Sequence, residues 1–433
     1  MKKLAVAAVA SLAALASSAA REDLASIRLA PVEKVSEAIV KVADFAGNST
    51  FGTMAAMSLA ASDATNACGF GACVLSGDTV LSGDLDKLVE SLDDKYVKAA
   101  GALPDGVIAQ LKVFSPAMRI AAQGIAKLAD DKNYAAQAED IKRAAAIIGD
   151  AKEICIEARI EASALVFDMK CAFARGAKTL TLIPAPIADA KPLAFAKGSP
   201  LGAAATMAKG KFARCPVATV NSVFAFLKSK GINFRGIKAE KTAEGFGRFE
   251  LDLDAIIGYL VKDAEKEVSK LAEEDEDKFA KELEAAIGKV SCGQTCGEDV
   301  LVRTACYVKG ATGIADAQKT LERLMPEAAK EKCLCVGVAN YYAFGRLVLD
   351  ALLKNAETAP LVAAVKGIVP TLPPFDNAGI AAMAWRDGDA VKARVRISAA
   401  EIRGFGTAIS SIVAMFAQAA QVEVEETFAD DDD

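Results

Sequence analysis

Ten cysteines are the side chains best placed to do chemistry in this sequence, because its 433 residues include no histidine. Histidine is the commonest general base near neutral pH and the commonest metal ligand. Ser-His-Asp and Cys-His catalytic arrangements are therefore excluded within the chain. The S-x-x-K and G-x-S-x-G motifs of serine nucleophiles and the glycine-rich motifs of phosphate-binding loops are also absent.

Four cysteines are spaced so that they can hold a metal ion. Cys292 and Cys296 form a C-x3-C pair, and Cys333 and Cys335 form a C-x-C pair. Their sulfurs could bind zinc or copper(I), which thiolate ligands select. The C-x2-C spacing typical of zinc sites does not occur, so this metal site is an alternative hypothesis and no other cofactor is expected.

An even number of cysteines in an exported chain favours disulfides. A chain of this length buries a core without cross-links, and cysteines at alternating strand positions also serve as small buried residues. Disulfides or buried thiols are therefore expected ahead of a metal site. The ten are Cys68, Cys73, Cys155, Cys171, Cys215, Cys292, Cys296, Cys306, Cys333 and Cys335.

The first twenty residues have the layout of a bacterial secretory signal peptide. Lys2 and Lys3 form a basic start, residues 4–15 are apolar, and small residues ending at Ala20 precede the charged Arg21. The apolar run is shorter than the roughly 20 residues that a membrane span needs. We predict cleavage after residues 1–20 and export to the periplasm, the cell envelope or the medium.

The charge balance excludes two classes of partner. Without the two lysines of the signal peptide, 49 of the 51 basic residues remain against 57 acidic ones, which gives a net charge of −8. Such a chain repels nucleic acid and anionic lipid. The best later candidate for a span, residues 404–420, is free of charge but contains Thr407 and Ser410 and indicates an amphipathic core helix. No transmembrane span is expected after cleavage.

Hydrophobic periodicity predicts a first α+β lobe over residues 21–200. It contains strands, helices and one β-hairpin, and it ends in a segment rich in Pro and Gly over residues 184–202. The predicted elements are a strand over 26–30, helices over 32–45, 85–96, 106–128 and 134–148, the hairpin over 154–173 and an extended piece over 179–183.

A second α+β lobe is predicted over residues 201–428, followed by an acidic, disordered tail over residues 429–433. This lobe repeats the opening of the first, an extended piece followed by a helix. Its predicted elements are an extended piece over 216–220, helices over 222–229, 254–287 and 314–325, strands over 246–253, 299–309 and 333–339, a helix over 341–354, a hairpin over 380–397 and a final helix. Ser398 is expected to cap this final helix, and Glu401 three residues later fits a capping box.

The fold class predicted from these patterns is α+β, with two related lobes that each have an antiparallel sheet covered by helices on one face. The hairpin-then-helix runs over residues 154–180 and 379–412 resemble those of uncharacterised exported bacterial proteins built of two such lobes. This resemblance implies a fold and no functional residues.

The alternation of residue types fixes the register of the hairpin over residues 154–173. If both arms bury their apolar sides together, Ile156 pairs with Met169, and Cys155 and Cys171 point to opposite faces. A slip of one residue would bury glutamates of the first arm among apolar side chains. We therefore predict that Cys155 and Cys171 form no disulfide.

The function expected from these observations is non-catalytic. With no histidine, no nucleophile motif and no cofactor motif, an exported protein that binds a partner or an apolar ligand between sheet and helices is the leading hypothesis. Two alternatives stay open: an exported enzyme that uses carboxylates or a metal, and a structural or adhesive surface protein.

Overall fold

A computed structural model gives the structure of most of the chain. The predicted signal peptide, the acidic tail, and Cys292 and Cys296 lie outside the part that it describes. The described residues are 23–30, 32–61, 73–76, 103–130, 138–183, 185–186, 200–209, 216–242, 247–269, 276–288, 301–311, 317–360, 362–363, 367 and 379–411.

Helices and strands alternate irregularly along these residues. The helices are α1 (Val32–Phe45), α2 (Ser49–Ala61), α3 (Ser115–Leu128), α4 (Ala138–Asp150), α5 (Pro216–Ser229), α6 (Leu253–Lys262), α7 (Ala264–Val268), α8 (Glu276–Gly288), α9 (Ala317–Lys330), α10 (Tyr341–Lys354) and α11 (residues 399–411). The strands are β1 (Asp23–Leu29), β2 (Cys73–Ser76), β3 (Val107–Phe114), β4 (Ala151–Ile160), β5 (Ala164–Phe173), β6 (Ala185–Pro186), β7 (Gly202–Lys209), β8 (Ile237–Lys241), β9 (Gly247–Leu251), β10 (Leu301–Val308), β11 (Cys333–Ala339), β12 (Ile380–Asp387) and β13 (Ala390–Ser398).

The strands join into one large sheet, which makes the fold α+β as predicted. Their order is β2–β1–β3–β4–β5–β13–β12–β11–β7–β10–β9–β8, and the short β6 pairs with β7 beside this path. Neighbours are antiparallel except for β9 and β10, which run parallel. The sheet continues across the predicted lobe boundary because β5 pairs with β13 over nine residues of β13.

The front face of the sheet is the one against which α9 packs. Leu321 and Ala328 of α9 are fully buried against the Val and Ala side chains of β7 and β11 and against Trp385 of β12. Further along the same face, on β13, β5 and β4, charged side chains predominate, and Arg394 lies opposite Asp168. The front face therefore changes from an apolar core to a charged surface at β12.

The back face is apolar along β3, β4, β5 and β13, where Ile, Leu, Val, Phe and Met alternate with the charged residues of the front. At one end of these strands, α3 and α4 cover the back face, with Met118 and Ile148 packed near Ile154 and Val391. At the other end, α1 and α11 lie near Ile160. Between the two ends, residues such as Phe167 and Val395 are half-buried.

The arrangement of β3, α3 and the hairpin β4–β5 occurs a second time with a constant shift in residue number. Adding 226 to the bounds of α3 gives the bounds of α10. The same shift converts the pair Ile154 and Cys171 of β4–β5 into the pair Ile380 and Ile397 of β12–β13. It also relates the pairing of β3 with β4 to the pairing of β11 with β12.

The register predicted for the first hairpin is confirmed. Ile156 pairs with Met169, Cys171 lies opposite Ile154, and Cys155 lies opposite Lys170. Cys155 and Cys171 are both free thiols, as the register argument requires. The cost of burying glutamates was therefore sufficient to fix the pairing.

Several predicted elements are wrong in type. Residues 107–114, predicted as the start of a helix, form β3, and only residues 115–128 are helical. Residues 216–220, predicted as extended, begin helix α5, in which Pro216 occupies the first position, where a missing N–H costs nothing. Residues 178–182 form a 3-10 helix instead of an extended piece.

Two predicted helices have different limits. The helix predicted over residues 254–287 is interrupted at Asp263, between α6 and α7, and α8 begins at Glu276. The helix predicted to end before Pro326 continues to Lys330. Pro326 is exposed, whereas Leu321 and Met325 are buried, so packing on one side keeps α9 intact while the proline faces solvent. None of the described helices is both long and apolar enough to cross a bilayer.

Candidate functional site

An apolar groove lies between the first two helices, the last helix and the ends of two strands. Helix α1 forms its floor with one stripe of side chains at helical spacing. The lining residues of α1 and of the turn after it are Val35, Ala38, Ile39, Val42, Ala43, Ala46 and Asn48, and those of the other elements are Phe51, Ile108, Ile160, Gly406, Ile409 and Ser410.

Two glycines allow the helices that form the groove to approach closely. Gly52 of α2 faces Ala43 of α1 with no room for a Cβ atom. At Gly406 of α11, a Cβ atom would lie 2.7 Å from the Cβ of Ala46. Real Cβ atoms do not approach so closely, so both helix crossings depend on glycine.

The turn between α1 and α2 sets the angle between these two helices. Gly47 has φ of +77°, a conformation that glycine adopts without strain. The side-chain oxygen of Asn48 then accepts a hydrogen bond from the backbone N–H of Phe51 at 3.2 Å and caps α2. This cap places Phe51 at the mouth of the groove.

Large apolar side chains stand exposed around the groove. Phe51 is 64% exposed and Ile409 is 61% exposed, although both line the groove. Met54 and Met57 continue the row of Phe51 along α2 and are also exposed. Exposed apolar clusters of this kind mark binding surfaces more often than single exposed residues do.

The groove can hold an aliphatic chain. Its volume is about 810 Å³, within the range of roughly 300–1,000 Å³ of small-molecule sites. Among the described residues that line it none is charged, and Asn48 and Ser410 are the polar ones. Its described walls are mainly branched aliphatic residues and alanine together with the ring of Phe51, so apolar contact is the interaction that they offer.

Helix α11, one wall of the groove, is held by Glu401. The hydroxyl oxygen of Ser398 accepts a hydrogen bond from the backbone N–H of Glu401 at 3.1 Å, as expected for the cap of this helix. In a capping box, the Glu401 carboxylate would also accept a hydrogen bond from the backbone N–H of Ser398, and it does not do so here. It instead accepts a hydrogen bond from the backbone N–H of Tyr342 at 2.7 Å, at the start of α10.

The alternative hypothesis of a metal site rests on four cysteines, of which the structure describes two. A β-bulge between Cys333 and Cys335 turns the two side chains to opposite faces of the sheet. Cys333 is buried in the core below α9, and Cys335 is exposed. Burial raises the pKa of the Cys333 thiol to about 12, and partial desolvation raises the pKa of the Cys335 thiol although that residue is exposed, so both are protonated near neutral pH.

Within the described ranges, neither the carboxylates nor the remaining cysteines form a cluster that could act as a metal site. Those ranges contain no group of three or more Cys, Asp or Glu side chains placed to hold a metal ion. Cys155, Cys171 and Cys306 are free thiols, and burial is the largest cause that raises the pKa of each.

No protein-family model, curated protein or solved structure matches the chain. The resemblance to exported two-lobed proteins therefore stays an expectation.

Sequence reasoning predicted the floor of the groove as a helix but missed the groove itself. The periodicity of α1 indicates one apolar face, which normally packs on a core. Residues 49–61 of α2 have apolar and small residues on all sides, so no pattern shows which face meets α1. The close contact between Gly52 and Ala43 identifies the face of α2 that meets α1, and the sequence alone does not reveal this contact.

Proposed function

We propose that the protein is an exported, non-catalytic binding protein whose groove holds the aliphatic chain of a small apolar ligand. Export is supported by the signal-peptide pattern over residues 1–20. The observation that carries the binding proposal is the groove of about 810 Å³, which is rimmed by Phe51 and Ile409 and whose described lining residues are all uncharged.

The composition of the walls supports an aliphatic ligand. Val35, Ile39 and Val42 of α1 present branched methyl groups along the length of the helix, and Ile108 and Ile160 do the same from the sheet. A flexible hydrocarbon chain can follow such a surface. Burial of each CH₂ group contributes about 0.8 kcal/mol, so a chain of several carbons supplies useful affinity.

The polar residues at the groove support one orientation of the ligand. Asn48 and Ser410 can exchange hydrogen bonds with an uncharged polar head group at the mouth. A charged head group would find no counter-ion among the lining residues that the structure describes. An acyl ester or a long-chain alcohol therefore fits the groove better than a free fatty acid anion.

A fluorescence titration tests this proposal. The mature chain is titrated with N-phenyl-1-naphthylamine, an uncharged apolar probe, and the bound probe is then displaced with dodecanol. Phe51→Lys and Ile409→Lys should each weaken probe binding by about tenfold or more, because each places a charge at the apolar mouth. Both side chains are already exposed, so both variants should fold.

Leu260→Lys is the matched control. Leu260 is 56% exposed on α6 and is not a lining residue of the groove, so this variant should bind like the unmodified chain. Equal binding in all variants would refute the groove as the site. A dimer that Phe51→Lys dissociates, without probe binding, would show that a second copy covers the groove instead.

We also propose that the two lobes, residues 21–200 and 201–428, are related copies of one unit. The constant shift of 226 residues supports this proposal, since it relates α3 to α10 and hairpin β4–β5 to hairpin β12–β13. Both hairpins also have two-residue turns at equivalent positions, Ala162-Ser163 and Gly388-Asp389.

A further inference from the structure

A second cavity lies on the front face, where the charged strands meet the apolar core at Trp385. Its volume is about 290 Å³, and we call it the charged cavity. Four of its lining residues are cationic and two are anionic, although the whole chain has a net charge of −6. The charged lining residues are Glu157, Arg159, Asp168, Lys170, Lys392 and Arg394.

One carboxylate at the centre of the charged cavity is fully engaged. Asp168 accepts hydrogen bonds from Arg159 and from the Nε of Arg394, the latter at 2.6 Å. Arg394 also donates to Glu327 of α9 at 2.5 Å. These contacts fix both guanidinium groups, but they leave Asp168 poorly suited to act as a general base.

The lysines of the charged cavity are less firmly held. Lys392 pairs at 2.6 Å with Asp387, whose side chain is 60% exposed, so solvent weakens this ion pair. Lys170 is an exposed residue at the cavity. Both ammonium groups can therefore turn toward a ligand at small cost.

Two buried N–H groups of the lining residues lack an acceptor. The Nε1 of Trp385 and the Nε of Arg159 have no hydrogen-bond partner among the described residues, and Trp385 is only 7% exposed. Both groups can donate and cannot accept. A buried donor without an acceptor costs about 1–3 kcal/mol, so a bound acceptor at this place would be favoured. By contrast, every buried hydrogen-bond acceptor on the described lining residues has a partner.

The thiol in the charged cavity does not oppose an anion. Burial, followed by the charge of Glu157, raises the pKa of Cys155. The side chain is therefore neutral near pH 7 and adds no negative charge.

We propose that the charged cavity binds a small oxyanion, a ligand that carries a carboxylate or phosphate group. Trp385 and Arg159 donate hydrogen bonds to its oxygens, and Lys170 and Lys392 contribute positive charge. This site lies on the face of the sheet opposite the apolar groove and does not depend on the function proposed for the groove.

The test uses the single tryptophan of the chain as the reporter. Trp385 emission is recorded while potassium phosphate or potassium citrate is added, with potassium chloride at matched ionic strength as the reference. We expect a saturable change with at least one of the two oxyanions and none with chloride. The two titrations distinguish a phosphate ligand from a carboxylate ligand.

Lys170→Gln should weaken the response by about fivefold or more, as expected for the loss of one charged contact. Lys178→Gln, which removes another exposed lysine outside the cavity, is the matched control and should respond like the unmodified chain. The proposal is overturned if neither oxyanion gives a saturable change, or if Lys170→Gln and Lys178→Gln respond alike.

Discussion

Glu401 is a carboxyl group that the fold buries completely, with no exposed surface. Burial is the largest influence on its pKa and raises it, although hydrogen bonds from the backbone N–H groups of Tyr342 and Tyr341 act in the opposite direction. The folded chain therefore prefers the protonated form at pH values where the unfolded chain is ionised. The stability contributed by this group is complete below pH 4.5 and is lost as the pH rises through the pKa of the folded state.

Glu401→Gln should mimic the protonated form at every pH. We expect the free energy of unfolding of this variant to match that of the unmodified chain near pH 4 and to exceed it increasingly toward pH 7. The gain is about 1.4 kcal/mol for each unit by which the fold raises the pKa. Urea unfolding at several pH values measures it.

Glu401→Ala separates charge from hydrogen bonding. It removes the acceptor for the N–H of Tyr342, so it should be about 1–3 kcal/mol less stable than Glu401→Gln at all of these pH values. Glu284→Gln, which removes a carboxylate from the exposed side of α8, is the control for the loss of one negative charge. A stability difference for Glu401→Gln that does not change with pH would contradict the argument.

Of the hydrogen bonds made by Glu401, the sequence predicts the local one and not the long-range one. The bond from the N–H of Glu401 to Ser398 follows from local spacing and was predicted. The bond to Tyr342 joins residues 59 positions apart, and no local pattern indicates it. The lining of the charged cavity is non-local in the same way, because it combines β4, β5, β12 and β13.

At the scale of single elements, α9 contains a helix-breaking residue in its interior. Pro326 removes one N–H from the hydrogen-bond ladder and crowds the preceding turn. The buried residues Leu321, Met325 and Ala328 hold α9 on the sheet despite this cost. The helix therefore keeps its length by tertiary packing and against its local preference.

Pro326→Ala should stabilise the protein. Proline in a helix interior is about 3 kcal/mol less favourable than alanine, and an exposed site should regain roughly 1–3 kcal/mol. A rise in the urea midpoint without a change in its slope would measure this gain.

Pro104→Ala provides the comparison for Pro326→Ala. Pro104 is exposed and precedes β3 outside any helix, so its replacement should not raise stability. A lower midpoint for Pro326→Ala would mean that α9 needs a bend that alanine cannot supply.

The elements that sequence predicted best are those with clear ends. The strand over residues 333–339 and the helix over residues 341–354 match β11 and α10 in full. The first residues of the predicted helix over 106–128 fit both helical and alternating patterns, and pairing with β1 and β4 decides in favour of strand β3. Local propensity carries no information about such partners.

At the scale of the whole molecule, one sheet runs through both of the lobes that the sequence predicted. Sequence reasoning predicted a boundary over residues 184–202 and two separate sheets, since composition shows where a chain turns but not which edges meet. The pairing of β5 with β13, with Asp168 opposite Arg394, makes one hydrogen-bonded unit of both lobes.

Cutting the chain within residues 187–199 should therefore give two fragments that are soluble and folded only in complex with each other. Each fragment alone exposes the edge of β5 or β13 with its apolar back face, and we expect it to aggregate. Expressed together, the two fragments should purify as one complex of equal stoichiometry, measured by affinity purification and gel filtration.

A proline in the shared ladder provides the control for the fragment experiment. Val166→Pro disrupts the pairing of β5, so this fragment should not recover its partner. Two fragments that are each monomeric and unfold cooperatively alone would show that the lobes are independent domains.

The pairing of β5 with β13 also governs the order in which the molecule can be completed during synthesis. Residues opposite each other in this ladder, such as Asp168 and Arg394, are 226 positions apart. At about 5–20 residues per second, the ribosome adds that length in roughly 10–45 seconds. For this time the β5 edge has no partner within its own chain, and neighbouring nascent chains offer the same edge. The yield of folded protein should therefore fall as expression becomes faster and more crowded, even though the finished sheet leaves this edge covered.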